Sequence, residues 1–281
     1  MENTKKNLLN DTEFMEKSFV TMCKQGNIET VRRFLLKGIN PDVLHGNGLH
    51  YAFEEGRLDV CELLIENGAD FRKQYDFYLR SSVVQGFSDF VKYLISKGAD
   101  VNANRAESFY QAYYMHTHTS DPIYLEIAEI LINAGINVKL REKEAWLVCA
   151  EAYNSVALTH MITHIPNVNI HYDNEYALLK FIVPSNDVSP DFEGFDDMVK
   201  LLISKGADVH VDTDEPLARA CGLGNFPLVK YLVEEAGADI HADIGSTKIF
   251  EAAASHEQDE ILEYLEEKSA EMAKALGMDT E

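Results

Sequence analysis

The sequence predicts an all-α fold, a solenoid of about eight stacked helix–turn–helix repeats with short connecting loops and helical caps. Two observations support this fold class. Segments beginning at Phe19, Leu49 and Leu79 align without a gap at a period of 30 residues, and each contains apolar residues at helical spacing. Such a period is typical of a solenoid, because one short helix pair cannot bury its apolar stripe without neighbours.

Each aligned segment encodes a helix, a turn and a second helix. An apolar anchor residue begins the segment, and a glycine seven residues later permits a tight reversal between the helices. In the second helix, apolar residues recur at spacings of three and four, as in Val91, Leu94 and Ile95, which predicts one buried stripe. A second glycine, nineteen residues after the anchor, is expected to end that helix.

The same frame extends through the chain and predicts eight repeats. Their anchors are Phe19, Leu49, Leu79, Phe109, Trp146, Leu178, Leu217 and Ile249. Asn167 replaces the second glycine in the fifth repeat, and asparagine tolerates the left-handed conformation well. We therefore expect an N-terminal cap at residues 1–18, a repeat array at 19–268 and an extension of the C-terminal capping helix at 269–281.

Composition excludes several classes of protein. The 281 residues include 46% hydrophobic and 26% charged residues, as in globular proteins, and carry a formal net charge of -22. This charge repels nucleic-acid phosphates and anionic lipids, so neither is an expected partner. The sequence offers no apolar stretch long enough to span a membrane. Its four cysteines are scattered, so we expect reduced, buried thiols, and we expect a cytoplasmic protein.

Several segments resemble the consensus of ankyrin repeats. They are Gly48-Leu-His-Tyr-Ala52, Leu58–Asp70, Lys97-Gly-Ala-Asp-Val-Asn102, Gly206-Ala-Asp-Val-His210 and Gly237-Ala-Asp-Ile-His241. The connecting loops of these repeats, known as fingers, are short, and such repeats are similar to those of large DNA viruses and intracellular bacteria. If the source is one of these, the expected location of the protein is the host cytosol. The resemblance implies a non-enzymatic protein that binds a protein partner through its fingers and the inner face of its first helices.

Residues able to carry catalysis are not arranged in a recognisable motif. The sequence contains no G-x-S-x-G, phosphate-binding loop or H-E-x-x-H motif. His160 and His164 are four residues apart on a predicted helix, a spacing that suits two ligands of one zinc ion, but nothing nearby in the sequence completes such a site. Surface roles are the favoured interpretation of both histidines. We therefore predict no catalytic residue, no metal site and no cofactor.

Two repeats contain insertions at the predicted turn between their helices. Residues 116–122 lengthen the fourth repeat, and residues 184–194 lengthen the sixth. Insertions in a solenoid often lie on its binding face, although tolerated surface loops are the simpler interpretation. The sequence leaves these two interpretations open.

The central repeats carry an unusual set of aromatic and basic residues near the expected inner face. Tyrosine and arginine are frequent in the energetic centres of protein interfaces. The candidate partner-binding residues are Tyr75, Arg80, Arg105, Tyr110, Tyr113, Tyr114 and Arg141. Packing of some aromatic residues in the core is the alternative.

Charge is distributed unevenly along the chain. Residues 71–143 contain 9 basic and 8 acidic side chains, whereas residues 212–281 contain 5 basic and 17 acidic ones. The acidic end could attract a basic partner, or it could only keep the protein soluble. We predict a monomeric module that binds one protein partner, with an acidic inhibitor of a basic, nucleic-acid-processing enzyme as the alternative.

Overall fold

The computed structural model describes residues 2–182, 192–244, 247–254 and 258–275. Within these residues, α-helices follow one another in eight pairs, which confirms the predicted helical repeat fold. The first four pairs are α1 (Glu2–Gln25) and α2 (Ile28–Leu36), α3 (Val43–Glu54) and α4 (Leu58–Glu66), α5 (Lys73–Val84) and α6 (Ser88–Ser96), and α7 (Ala103–Thr119) and α8 (Ile123–Asn133).

The second half of the chain continues the pattern with two short irregular elements. A 3-10 turn, Val138–Leu140, precedes the fifth pair, and the antiparallel strands β1 (Asp243–Ile244) and β2 (Thr247–Lys248) precede the eighth. The last four pairs are α9 (Glu142–Glu151) and α10 (Ser155–His164), α11 (Tyr172–Ile182) and α12 (Phe192–Ser204), α13 (Val211–Leu223) and α14 (Phe226–Glu234), and α15 (Ile249–Ala254) and α16 (Asp259–Ala275).

The eight anchor residues lie in the core, as the repeat frame predicts. Their exposed fractions are at most 1%, for Phe19, Leu49, Leu79, Phe109, Trp146, Leu178, Leu217 and Ile249. The residue four positions after each anchor is equally well covered, since it lies one helical turn further along the same face. The first helices thus contribute a continuous apolar face to each stack.

The chain forms two compact units. The N-unit comprises Met1–Ala112 and Glu126–Asn137, and the C-unit comprises Tyr113–Leu125 and Val138–Glu281. In the N-unit, α1 packs against α2 and α3, and α5 packs against α6. In the C-unit, the first helix of each repeat packs against the first helix of the next, in the order α9, α11, α13 and α15.

Left-handed backbone conformations occur where the repeat frame requires them. Gly56, between α3 and α4, has φ 67°, and Tyr153 adopts φ 54° at the corresponding place between α9 and α10. Asn167 has φ 55°, which confirms the expected substitution for glycine at the end of a second helix. A tyrosine and an asparagine can therefore occupy turns that glycine forms elsewhere, at a modest conformational cost.

We call the loop that enters a repeat its finger. In the described part of the chain, five first helices begin with one left-handed turn. The turns comprise residues 44–46, 74–76, 104–106, 173–175 and 212–214. Left-handed residues other than glycine cost about 1–2 kcal/mol each, so such turns need support from their surroundings. That support comes from the following finger.

In six consecutive fingers, those of the second to the seventh repeats, a side-chain oxygen accepts a hydrogen bond from a backbone N–H of the next finger. In the N-unit the acceptors and donors are Asp42 with Asp70, Asp76 with Asp100, and Asn102 with Asn137. In the C-unit they are Glu142 with Asn169, Glu175 with Asp208, and Asp214 with Asp239. In every case the donor is the Asp or Asn two residues after the Gly or Asn that ends the preceding second helix, so the bond recurs in register along each stack.

The acceptor occupies one of two positions. In two fingers the turn ends in a small residue, Gly46 or Ala106, and the acceptor is the Asp or Asn seven residues before the anchor. In the other four fingers the acceptor is acidic and lies three or four residues before the anchor, while the residue seven before the anchor is basic. The basic residue faces the acid: Lys139 Nζ lies 2.8 Å from Glu142 Oε2, and His210 Nδ1 lies 3.0 Å from Asp214 Oδ1.

Three predicted boundaries differ in the structure. Residues 2–18 of the predicted cap are continuous with the first helix of the first repeat, because α1 extends from Glu2 to Gln25. The prediction of a turn at 116–122 is wrong for the first four of these residues, because they form the last turn of α7. Residues 184–191 of the second insertion lie outside the described residues, and 192–194 begin α12.

Candidate functional site

Three exposed side chains occupy equivalent positions at the tips of consecutive fingers in the N-unit. His45, Tyr75 and Arg105 are each the middle residue of a left-handed turn and are spaced by 30 residues. Tyr75 is 75% exposed, an unusual value for a tyrosine. Arg105 is exposed and makes no hydrogen bond or ion pair within the described part of the chain. We call these three residues the fingertip row.

Arg80 holds the finger that carries Tyr75. Its guanidinium donates from Nε to the Tyr75 carbonyl at 3.1 Å and from Nη2 to the Gln74 carbonyl at 3.1 Å. Its Nη1 donates to Glu107 Oε2 at 2.6 Å. Through these bonds Arg80 fixes the backbone beneath Tyr75.

The same cluster connects two neighbouring fingers. Asn104 also donates a hydrogen bond to Glu107, next to Arg105. Although burial opposes ionisation of Glu107, hydrogen bonds from Asn104 and the Arg80 guanidinium hold the pKa of this carboxyl below its usual value. The ionised carboxylate thereby links the fingers of Tyr75 and Arg105, so the two tips are presented in a fixed arrangement.

Two clefts lie beside the fingertip row in the N-unit. The first has a volume of about 350 Å³ and is lined by His45, Gly46, Asn47, His50, Asp70, Lys73, Gln74, Phe77 and Tyr78. The second has a volume of about 240 Å³ and is lined by Phe77, Arg80, Ser81, Val84, Gln85, Glu107 and Gln111. Both are lined by apolar and polar side chains together, the combination expected where a partner side chain binds.

A family model described as ankyrin repeats in three copies matches residues 2–75, 19–105 and 189–275, about two thirds of the sequence. The chain belongs to the ankyrin-repeat family. Ankyrin repeats are generally non-enzymatic protein–protein interaction modules.

One solved structure similar to this chain is an ankyrin repeat protein from Leishmania major. It shares 17% sequence identity with a TM-score of 0.47, covering 93% of this chain and 99% of that chain. No curated protein matches the sequence. None of the helices in the described residues combines the length and apolar character needed to cross a lipid bilayer.

The remaining predicted binding residues of this ankyrin protein occupy varied environments. Tyr110 is half-buried in the N-unit. In the C-unit, Tyr114 is half-buried with its ring centroid 4.0 Å from that of His118, and Arg141 Nη1 lies 3.5 Å from Glu144 Oε1. These three residues retain some exposed surface, so they stay candidate contacts.

Tyr113 has a different role from the one its residue type suggests. Its side chain is fully buried, and its hydroxyl lies 2.9 Å from His160 Nδ1 within the C-unit. Tyr113 is four residues after the anchor Phe109, and the corresponding residue is buried in the other repeats. The repeat frame thus contained the signal that places Tyr113 in the core, where it offers no surface to a partner.

His45, Lys73 and His50 are surface residues of the clefts that residue type alone did not select. His45 could have been found by comparing the repeats, because it is 30 residues before Tyr75 and 60 before Arg105. Lys73 lies 3.3 Å from Asp42 Oδ1, and His50 Nε2 lies 3.3 Å from Glu54 Oε1. No local motif marks Lys73 or His50, since the cleft is formed by two separate repeats.

The four cysteines of the ankyrin array are free and buried. Burial raises the pKa of Cys23, Cys149 and Cys221 to about 12 each and raises that of Cys61 further. The thiols are therefore protonated at neutral pH, whereas nucleophilic cysteines need thiolate character. They act as small apolar residues of the core.

We expect all four thiols to resist alkylation in the native protein. At neutral pH, iodoacetamide should label them at least about 100-fold more slowly than free cysteine, because both burial and protonation oppose reaction. Mass spectrometry of intact protein measures the number of labels, and a sample in denaturant provides the fully labelled control. Rapid labelling of a native thiol would contradict the buried position of that cysteine.

Proposed function

We propose that this ankyrin array binds a protein partner through the fingertip row and the adjoining clefts of its N-unit. The observation that carries the proposal is the 75% exposure of Tyr75 on a finger fixed by Arg80. A rigid, exposed aromatic residue loses little conformational entropy on binding and buries a large apolar area. Arg105 adds an unneutralised guanidinium at the equivalent position of the next finger, and arginine and tyrosine are frequent interface hot spots.

The test begins with affinity capture from the native cell, using the whole chain as bait, and continues with titration calorimetry of the identified partner. We expect Tyr75→Ala/Arg105→Ala to weaken binding by at least about 30-fold, because two central contacts are lost. Thermal unfolding of this variant should match that of the wild type, since neither side chain is buried.

Leu36→Ala/Lys37→Ala is a matched control. It also removes one exposed apolar side chain and one exposed cation, at the C-terminal end of α2, where Leu36 is 82% exposed. The control should bind like the wild type. Unchanged affinity of the Tyr75→Ala/Arg105→Ala variant would show that the partner binds elsewhere.

A second candidate function is inhibition of a basic enzyme by the acidic C-terminal region. The charge of residues 212–281, with 5 basic and 17 acidic side chains, favours it. Asp259, Glu260 and Glu263 on α16 are exposed, so they can contribute to attraction of a basic surface. Glu260→Gln/Glu263→Gln should slow association with a basic partner at low ionic strength and reduce its salt dependence. An unchanged association rate would argue against this function.

The proposed setting is a monomer in the cytosol. Four free, buried cysteines suit a reducing compartment, where structural disulfides are rare. Sedimentation at micromolar concentration tests the monomer, and fractionation of the native cell tests the location.

A further inference from the structure

A partly buried polar network in the C-unit joins the end of α7 to the start of α10. Asn154 caps α10, with its Oδ1 accepting a hydrogen bond from the Ala157 N–H at 3.0 Å. The amide nitrogen of Asn154 lies 3.0 Å from His116 Nδ1 and 3.2 Å from Thr117 Oγ1. His116 is 6% exposed, and Asn154 and Thr117 are half-buried.

The network determines which atoms carry hydrogen. An N–H in the first turn of a helix has no acceptor within the helix, so the Ala157 N–H requires the oxygen of Asn154. The amide group of Asn154 must then direct its nitrogen, which only donates, toward His116 and Thr117. Nδ1 of His116 must therefore accept, and His116 is the neutral tautomer with its proton on Nε2.

We propose that His116 is an acid-sensitive latch that holds the N-terminus of α10 in the C-unit. Protonation of Nδ1 places an N–H against the amide N–H of Asn154, where two donors cannot form a hydrogen bond. Asn154 can accept from the protonated imidazole only by turning its oxygen away from Ala157. Acid therefore removes the cap of α10 by reversing one amide group.

The surroundings of His116 oppose its protonation. Burial lowers the pKa of His116 below its ordinary value of 6.5, while the Asp121 carboxylate in the turn after α7 acts in the opposite direction. Cys149 on α9, 3.6 Å from Thr117 Oγ1, adds no charge, because its thiol is protonated at neutral pH. Asn154, which caps α10, is uncharged. Asp121 is therefore the acidic group that partly offsets the effect of burial on the pKa of His116.

The sign of the pH dependence follows from this lowered value. Between the folded-state pKa of His116 and 6.5, the unfolded chain binds more protons than the folded chain. The contribution of His116 to stability is therefore present above 6.5 and is lost as the pH falls through this interval. Acidification should loosen α10 before the whole unit unfolds.

Amide hydrogen exchange of the full chain between pH 7.5 and pH 5 tests the latch. After correction for the intrinsic pH dependence of exchange, protection of Ala157 should fall by at least about 10-fold in the wild type, the loss expected when a capping bond is broken. His116→Asn supplies an acceptor that does not titrate in this range, so its protection should stay constant. His118→Asn, at an exposed position two residues after His116, should respond like the wild type.

Asn154→Asp provides a test with the opposite sign. Aspartate still caps α10, and its second oxygen faces His116, which it should favour in the protonated form. Protection of Ala157 in this variant should be unchanged or higher at pH 5. Acid loss of protection that is equal in the wild type and His116→Asn, or that persists in Asn154→Asp, would overturn the proposal.

Discussion

Replacing Leu94 with alanine is expected to lower the free energy of unfolding by about 2–5 kcal/mol, the usual range for a leucine deleted from a well-packed core. Leu94 is fully buried in α6, within the apolar stripe of the third repeat. Its removal leaves a cavity that rigid neighbouring helices cannot fill. Urea denaturation followed by circular dichroism measures the effect.

Glu55→Ala serves as the comparison for Leu94→Ala within the same N-unit. Glu55 is exposed and lies 3.6 Å from Lys24 Nζ, so the lost ion pair should change stability by about 0.5 kcal/mol or less. Equal denaturation midpoints for the two variants would contradict the burial of Leu94.

Removal of a finger acceptor should produce the second large loss of stability. Asp214→Ala leaves the Asp239 N–H and His210 Nδ1 without their acceptor, which should lower the free energy of unfolding by about 1–3 kcal/mol. Thr213→Ala, in the same left-handed turn but exposed, should have a much smaller effect. Thermal unfolding measured by calorimetry separates the two variants.

The fourth repeat supplies a rescue for this variant. Its finger combines Asn102, seven residues before the anchor, with Ala106 in the turn, and Asn102 accepts from Asn137 N–H at 2.7 Å. His210→Asn/Asp214→Ala creates the same combination in the seventh repeat and should recover at least about half of the lost stability. A double variant less stable than Asp214→Ala would show that the two positions are not alternative sites for one acceptor.

Repeat spacing alone was enough to predict the helices, their anchors and the left-handed residue at Asn167. These features depend on local sequence, because an apolar stripe and a helix stop can be recognised without knowing which repeat packs against which. The first insertion was harder to place, since residues 116–119 are compatible with both a loop and a longer helix. His116 is fixed as part of α7 by its contact with Asn154, 38 residues away.

The candidate surface was predictable only in part. Tyr75 and Arg105 were selected by residue type, and the structure exposes both on adjoining fingers. The role of Arg80 depends on the carbonyls of Gln74 and Tyr75 and on Glu107 in the next repeat. Such a contact across repeats leaves no local signature, so an arginine that supports a finger resembles one that binds a partner.

The bond between neighbouring fingers has a consequence for how such an array can change in length. The acceptor is a side chain, but the donor is a backbone N–H that every residue except proline possesses. Each repeat therefore supplies the acceptor itself and requires only a backbone N–H from the repeat that follows it. A gene segment encoding one repeat could be duplicated, deleted or exchanged and still join its new neighbour, leaving the residues at the finger tips free to diversify.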